Sequence, residues 1–507
     1  MDSSTFRAAG HRAIEYIADY YEQLASGPVR SDVTPGFLLS KLPSEAPEKS
    51  EAWSAIESDL HHLIEPGLGH WMHPGFMAYF PASSSFEGIL GELYSAAFNN
   101  PAFDWICSPS ITELELAMGV WVGELLGLPP SFRGHASSVI QSTTTECLIT
   151  TMCAARERMV NAIVAEGDYE TERLRSDDVR NRLVVLSSSE THVSTRKAAK
   201  VVGVQHRSIP CDPSDGIALS GTQLQTAVDE CLAEGMIPFY FTAAFGTTNS
   251  CAVDDFPGIA RVKEKHPEIW IHVDAAYAGA ALACEEFRPL ASGMDQFDSF
   301  SVNMGKWLLT NLDCTMLFAR NRSDIVCSMK NDCSILQNPV STSQKTTDYR
   351  DLQLSMGRRF RSLKVWFVLR SFGKQRIQHH IRRHVEMASH FTDWVRQRPD
   401  LFALTTEPRF ALNVIRVSDA AASRMGTDSS SATAKLYDVI SQSRRFWLSK
   451  TTINGCVSIR IIAANSNSDL DTLRHVFEVL SEGTQSLLDQ SAIRSDGEDD
   501  GKRCTPQ

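Results

Sequence analysis

The chain has 507 residues, 43% of them hydrophobic and 22% charged, with a formal net charge of −12. That composition is globular and leaves room for two or three domains of about 100–200 residues. An acidic balance without a basic run argues against nucleic acid or an anionic membrane surface as partner. No apolar stretch approaches the ~20 residues that span a bilayer. The first residues lack the basic and apolar blocks of a secretory signal. Twelve cysteines without a CxxC pair read as reduced thiols, so a cytoplasmic protein is expected.

Along the chain, residues 5–26 place Phe6, Ala9, Ile14, Ile17, Tyr20, Tyr21 and Leu24 at helical spacing, up to a stop at Gly27-Pro28. A Pro- and Ser-rich connector over 31–50 leads to a second helix over 51–64, ended by Pro66-Gly67. Thr112 with Glu115 reads as a capping box opening a helix over 112–127, closed by Gly127 and Pro129. Short apolar runs at 183–188, 236–244, 269–274 and 297–302 alternate with helical segments. Near-continuous apolar strands suit a parallel sheet covered on both faces. This alternation predicts an α/β, doubly wound domain with its ligand at the carboxyl ends of the strands. A Ser-rich break at 423–435 falls in a smaller C-terminal part, and the polar tail from about Gly483 is expected to be disordered.

The segment IWIHVDAAYAG (269–279) runs a strand into Asp274, followed by small residues. A carboxylate there suits an N-cap or a metal ligand as well as a cofactor contact. Past the next strand comes Lys306 in SVNMGKWLLTN. A lone lysine after a strand is usually solvated. The apolar flanks Met304, Trp307, Leu308 and Leu309 favour burial, and with it a lowered pKa and a nucleophilic amine.

Asp, a spacer and then Lys is the arrangement that pyridoxal 5′-phosphate requires, the carboxylate keeping the pyridine nitrogen protonated and the amine bonding the aldehyde carbon. Upstream, four hydroxyl residues, Ser142 to Thr145, immediately precede a helix and can cradle a dianion, although a plain Ser/Thr-rich cap reads the same. His192, after the strand in LSSSETHVSTRKAAK, is either a satisfied structural residue or a ring stacked on the pyridine. No metal is called for.

HWMHPGFMAYFPASSS, IQSTTTE, ETHVSTRKA, HVDAAYAG, GKWLLTNLDC and DYRDLQLSMGRRFRSLKVW stand in this order. Together they resemble the group II pyridoxal-phosphate decarboxylases, and within them the aromatic L-amino-acid decarboxylases, from Phe6 to about residue 480. The resemblance implies the aspartate-aminotransferase type of fold (fold type I). That is a mostly parallel sheet sandwiched by helices, with an N-terminal helical segment and a small C-terminal α+β domain. It also implies a homodimer with its sites at the subunit interface. The corresponding division is a dimerisation segment (1–85), a large cofactor-binding domain (86–378), a small domain (379–483) and a disordered tail (484–507).

Residue by residue, the resemblance makes Lys306 the lysine that carries the cofactor and Asp274 the partner of the pyridine nitrogen. His192 stacks on the ring, Thr144, Thr145 and Asn303 hold the phosphate, and Thr248 and Ala276 border the cofactor. Trp71, Tyr79, Phe80, Pro81 and Phe103 match the aromatic side-chain pocket, some of them from the neighbouring subunit. An apolar, aromatic-walled pocket suits an aromatic amino acid and not a second carboxylate. Gly357 matches a position that is glycine where indole substrates are accepted, which favours tryptophan or a hydroxytryptophan.

Two departures stand out. Gly305 replaces the histidine that precedes the lysine in most relatives, and is expected to enlarge the same region as Gly357. Ile335 replaces the loop tyrosine that protonates the substrate carbon after decarboxylation, and Tyr349 is a poor substitute for it. The implied reaction is decarboxylation to an arylalkylamine. Loss of the loop phenol leaves aldehyde synthesis coupled to O₂ as an alternative, and a catalytically silent binding partner as another. Aminotransferase chemistry is a weaker rival, with Arg460 as the candidate carboxylate clamp.

Overall fold

The apolar runs assemble into one seven-stranded sheet. The computed structural model describes residues 1–134, 137–164, 169–211, 216–330, 336, 338–342 and 346–500. The strands are β1 Ser138–Gln141, β2 Leu183–Ser188, β3 Gln205–Ile209, β4 Ile237–Ala244, β5 Trp270–Asp274, β6 Ser299–Asn303 and β7 Thr315–Ala319. Their order is β1-β7-β6-β5-β4-β2-β3. β3, β2, β4, β5 and β6 are mutually parallel, while β7 is antiparallel to both β6 and β1. β1 therefore points the same way as the five parallel strands. β2, β5 and β7 are buried along their whole length, as a sheet covered on both faces requires. The helix Thr144–Val164 lies on one face, where Cys147, Leu148, Met152 and Met159 pack with Val185, Tyr240, Trp270 and Leu317. This is the mostly parallel fold type I arrangement that the resemblance implied.

The chain divides into two compact units. The larger holds Ala82–Ser389 and Thr406–Val414, and the smaller holds Met1–Pro81, His390–Thr405 and Ile415–Gln507. The C-terminal region carries a second sheet of β8 Phe402–Leu404, β9 Leu412–Val417, β10 Ser449–Ile453 and β11 Cys456–Ile462, in the order β10-β11-β9-β8. Its pairs β10/β11 and β8/β9 are antiparallel.

The N-terminal stretch does not stand as a segment of its own. Met77 N donates to Trp447 O and Trp447 N to Gly75 O, both at 2.9 Å, and Ile462 N donates to Met77 O at 3.1 Å. Residues up to Pro81 belong to the smaller unit, and Ala82–Ser85 to the larger. The larger unit continues past residue 378 to Ser389, within the helix Arg361–Gln397, which is interrupted at Gly373 (φ 65°).

Two further expectations are corrected. The helix expected over 112–127 spans Pro109–Leu125 with Ser108 at its N-cap, so Thr112 and Glu115 lie inside it and form no capping box. Glu115 instead accepts from Ile140 N at 2.7 Å and from Arg358 at 2.6 Å, a buried ion pair. The last helix runs Leu470–Asp500, past Gly483, because Leu480, Thr484 and Leu488 continue its buried stripe. Among the described residues, no helix is long and apolar enough to cross a membrane.

Candidate active site

Because β1 is aligned with the parallel strands, the segments leaving β1, β2, β4, β5 and β6 all emerge at one edge of the sheet. That edge receives Thr144 and Thr145 after β1, His192 after β2, Thr248 after β4, Asp274 and Ala276 at the end of β5, and Asn303 and Lys306 at the end of β6. Cross-strand register puts Ala244, Asp274 and Ser301 side by side. The sheet thus collects residues separated by more than a hundred positions.

Asp274 is 9% exposed, and its Oδ1 accepts from Ala276 N at 3.1 Å. The turn behind it is tied to β6, since Ala275 N donates to Ser301 O and Asn303 N to Ala276 O, both at 3.0 Å. Beneath it on the same strand, His272 is fully buried with Nδ1 2.8 Å from Ser299 Oγ and Nε2 3.1 Å from Ser301 Oγ. Trp270 Nε1 donates to the same Ser299 Oγ at 2.7 Å, so one hydroxyl ties the two rings together. Burial pushes the His272 pKa down to about 3, and the ring is neutral.

The His192 ring opens to solvent on one side, yet protein crowds it enough that desolvation lowers its pKa. Attraction from Asp274 opposes that shift and repulsion from Lys306 adds to it. The three side chains thus share one electrostatic environment.

Lys306 lies in the short helix Met304–Trp307, whose N-cap is Asn303, its Oδ1 accepting from Gly305 N at 2.9 Å. The next residue is anchored: Trp307 stacks on Tyr277 with centroids 4.8 Å apart, and its Nε1 donates to His384 Nδ1 at 3.0 Å. A Cβ built on Gly305 would meet Asn303 Oδ1 at 3.2 Å and Thr310 O at 3.4 Å. Gly357, by contrast, has open space beside it and lines a cavity of about 800 Å³ with Ser95, Asn99, Asn100, Pro101 and Arg358. Gly357 borders open space while Gly305 sits against its neighbours, so the expectation that Gly305 enlarges the same region is not met.

At the phosphate end, the helix Thr144–Val164 starts at Thr144, not after Thr145 as expected. Thr143 Oγ1 caps Glu146 N at 3.2 Å, while the Glu146 carboxylate accepts from Ser142 N at 3.0 Å and from the Ser142 hydroxyl. The N–H groups of Thr144 and Thr145 precede the intrahelical ladder and face outward at the positive end of a 21-residue helix. Thr144 Oγ1 is buried with no hydrogen-bond partner among the described residues. A buried hydroxyl without a partner, at a helix N-terminus, fits a phosphate. With the Asp274 carboxylate and the Lys306 amine at the same sheet edge, the donor set fits pyridoxal phosphate.

The aromatic residues separate. Trp71, Tyr79, Phe80 and Pro81 belong to the smaller unit, where Trp71 stacks on Tyr79 (5.8 Å, 16°) and packs on Phe76 (4.4 Å). Arg460, 4% exposed, lies in the same unit with its guanidinium 5.2 Å over the Phe80 ring. Phe103 belongs to the larger unit beside the Gly357 segment: Arg350 N donates to Phe103 O at 3.1 Å and Arg358 N to Pro101 O at 2.8 Å. Tyr349 is fully buried under the Arg358 guanidinium (4.3 Å). Ile335 lies outside the described residues.

Three contributors escaped sequence reasoning. Ser83 sits within the quoted motif PASSS, but its hydroxyl run carries no sign that it reaches the lysine turn. Ser194 fixes the orientation of His192, its N–H donating to Nδ1 at 3.2 Å. His272 was visible in HVDAAYAG as a polar residue in an apolar strand, which is the signal that could have found it.

Comparison with known proteins agrees with this geometry. Residues 35–418 match the pyridoxal-dependent decarboxylase conserved domain. Tyrosine decarboxylase 4 of Petroselinum crispum is 36% identical over 498 residues, covering 97% of this chain and 95% of the relative. The crystal structure of Oryza sativa TDC with PLP and tryptamine superposes with a TM-score of 0.91 at 33% identity, covering 96% of this chain and 99% of that one. That of Rhodiola rosea 4-hydroxyphenylacetaldehyde synthase gives 0.88 at 32%, with the same coverage. With its sheet-edge cluster and a match over most of its length, the chain is a pyridoxal-phosphate-dependent carboxy-lyase and belongs to the aromatic L-amino-acid decarboxylase family of the pyridoxal-dependent decarboxylases.

Proposed function

We propose that this enzyme decarboxylates tryptophan or a hydroxytryptophan in preference to tyrosine, giving the arylalkylamine and CO₂, and that it works as a homodimer. The observation that carries the reading is the gathering of His192, Asp274 and Lys306 at one sheet edge, beside a helix N-terminus with a buried, unpartnered Thr144 hydroxyl. When bound, pyridoxal phosphate supplies the electron sink into which the electrons of the breaking Cα–carboxylate bond flow.

The chain's residues take the following roles in this reading. Lys306 carries the cofactor. Thr144 and Thr145 offer hydroxyl and N–H donors to the phosphate. Asn303, with Oδ1 spent on Gly305 N, keeps its amide N–H₂ for the same group. Asp274 spends one oxygen on Ala276 N and holds a proton at the pyridine nitrogen with the other. Thr248 and Ala276 border the ring, and His192 covers it. Trp71, Tyr79, Phe80, Pro81 and Phe103 receive the substrate's aromatic side chain, and Gly357 leaves space for the second ring of indole.

The homodimer is supported by the helix Phe86–Phe98, where Leu90, Leu93, Tyr94 and Phe98 are 43–60% exposed in the single chain, an apolar face that calls for a cover. The described cysteines are free thiols, which suits a reducing compartment, and a cytoplasmic location is part of the proposal.

A second reading is favoured by Ile335, which has no proton to deliver. Amino acid, O₂ and water would then yield the aryl acetaldehyde, CO₂, ammonia and H₂O₂. Incubation with single aromatic amino acids, scoring amine, aldehyde and peroxide together, separates the two. Lys306→Ala should lose nearly all turnover, and Gly357→Ser should shift kcat/KM toward tyrosine; a tenfold shift is only about 1.4 kcal/mol in the transition state. Preference for an acidic amino acid, or full activity in Lys306→Ala, would overturn the proposal.

A further inference from the structure

The helix bearing Lys306 is one turn long, and a single turn cannot satisfy its own last carbonyls. Within it, Leu308 N returns to Met304 O at 3.2 Å. The carbonyls that follow are met by another part of the larger unit. Ser83 N donates to Gly305 O at 2.7 Å, and Ser83 Oγ donates to Lys306 O at 2.6 Å. Two residues on, Ser85 Oγ donates to Leu309 O at 2.9 Å. Leu309 has φ 64°, a left-handed conformation that leucine rarely adopts, so this carbonyl is held where an unsupported chain would not leave it.

We propose that Ser83 is a positioning residue for Lys306, its hydroxyl and N–H together fixing the peptide from which the lysine side chain reaches the cofactor. The proposal rests on Lys306 being the cofactor-bearing lysine. One hydrogen bond to the turn would leave it free to pivot. Two bonds from one residue to consecutive carbonyls fix its rotation as well as its position. Ser83 is 3% exposed, so bulk water does not replace its hydroxyl, and loss of the hydroxyl removes the 2.6 Å bond that holds the Lys306 carbonyl. From the opposite end, Asn303 Oδ1 holds Gly305 N. The absence of a side chain at 305, where a Cβ would press on Asn303 Oδ1 and Thr310 O, lets the turn seat between these two clamps.

The test uses the full-length holoenzyme and Ser83→Ala, Ser83→Thr and Ser83→Cys. Three quantities are read: the pyridoxal phosphate dissociation constant, the pH midpoint of the visible absorbance of the lysine-bound cofactor, and the thermal midpoint of the cofactor-free chain. Ser83→Ala should weaken cofactor binding about tenfold and displace the pH midpoint. Ser83→Thr, which keeps the hydroxyl, should restore both to within about twofold. Ser83→Cys, a weak donor, should fall between them and serves if the alanine variant does not fold. A control that removes a helix-capping hydroxyl in the smaller unit, Ser418→Ala, should lower the thermal midpoint and leave the absorbance titration unmoved.

In a Lys306→Ala background, Ser83→Ala should add nothing to the loss of cofactor affinity. A lowered thermal midpoint with an unmoved absorbance titration and unmoved affinity makes Ser83 merely structural and overturns the proposal. An additive loss in the Lys306→Ala background overturns it too. Survival of the visible band in Lys306→Ala alone would instead remove the lysine assignment, independently of Ser83.

Discussion

Nδ1 of His192 accepts the backbone N–H of Ser194 at 3.2 Å and lies 2.8 Å from Ser194 Oγ. A main-chain N–H is never an acceptor, so Nδ1 must present its lone pair, and the neutral ring carries its hydrogen on Nε2. Burial lowers the pKa of this histidine, so the charged, proton-donating form is scarce at neutral pH. Ser194 thereby selects the tautomer of the neutral ring.

If His192 supplies the proton that the absent loop phenol cannot, His192→Asn should lower the amine-to-aldehyde ratio from tryptophan in air. The wild-type ratio should rise as pH falls from about 8 to about 6, because acid enlarges the charged fraction of a histidine whose pKa lies below its ordinary value. The variant should show no such slope. Equal slopes in both proteins would remove His192 from proton delivery.

Thr144→Val separates folding from cofactor binding by sign. The Thr144 hydroxyl is buried without a partner, so replacing it with a methyl group of the same shape should leave the cofactor-free chain equally or more stable. Affinity for pyridoxal phosphate should nevertheless fall about tenfold, since a hydrogen bond to a charged group is lost. Thermal unfolding with and without cofactor reads both. A stability loss in the cofactor-free chain would mean that the hydroxyl serves the fold.

What was legible before the structure follows from how local the signal is. β5 and its terminal Asp274 stood out because an apolar run ending in a carboxylate is unusual within a few residues. Glu115 was misread as a cap because Thr112-x-x-Glu115 is a local pattern, whereas its real partners, Ile140 and Arg358, are remote in sequence. Ser83 was invisible for the same reason, its bonds reaching residues more than 200 positions away. The helix past Gly483 was missed because a sparse stripe of Leu480, Thr484 and Leu488 is masked by the polar residues around it.

His380 gives a pH prediction with a definite sign. Its Nε2 is buried without a hydrogen-bond partner among the described residues, and burial, with Arg383 and His379 adding to it, pushes its pKa down to about 3. The unfolded chain binds that proton near the ordinary 6.5. Between these values the unfolded state holds a proton that the folded state refuses. The contribution to stability is therefore complete above about pH 6.5 and is lost progressively as pH falls toward about 3. His380→Leu removes this term, so the variant should gain on the wild type in urea midpoint at about pH 5 and gain less at about pH 7.5. An equal difference at both pH values would show that the folded His380 takes up the proton as readily as the unfolded one.

Ile335 gives the sharpest test of product choice. The position matches a loop tyrosine in the family, and an isoleucine can neither donate a proton nor hold one. Once CO₂ has left, the electron-rich substrate carbon must take up a proton to become an amine. The slower that step, the longer O₂ has to intercept the carbon and divert it to aldehyde, ammonia and peroxide. A positioned general acid contributes about 10²–10⁴-fold, so restoring one has room to change the outcome. Ile335→Tyr should therefore raise the amine-to-aldehyde ratio and suppress peroxide in air. Under argon, where O₂ cannot compete, the two proteins should converge on amine. If the wild type makes amine without peroxide and Ile335→Tyr changes neither product nor rate, position 335 is not where the proton is delivered.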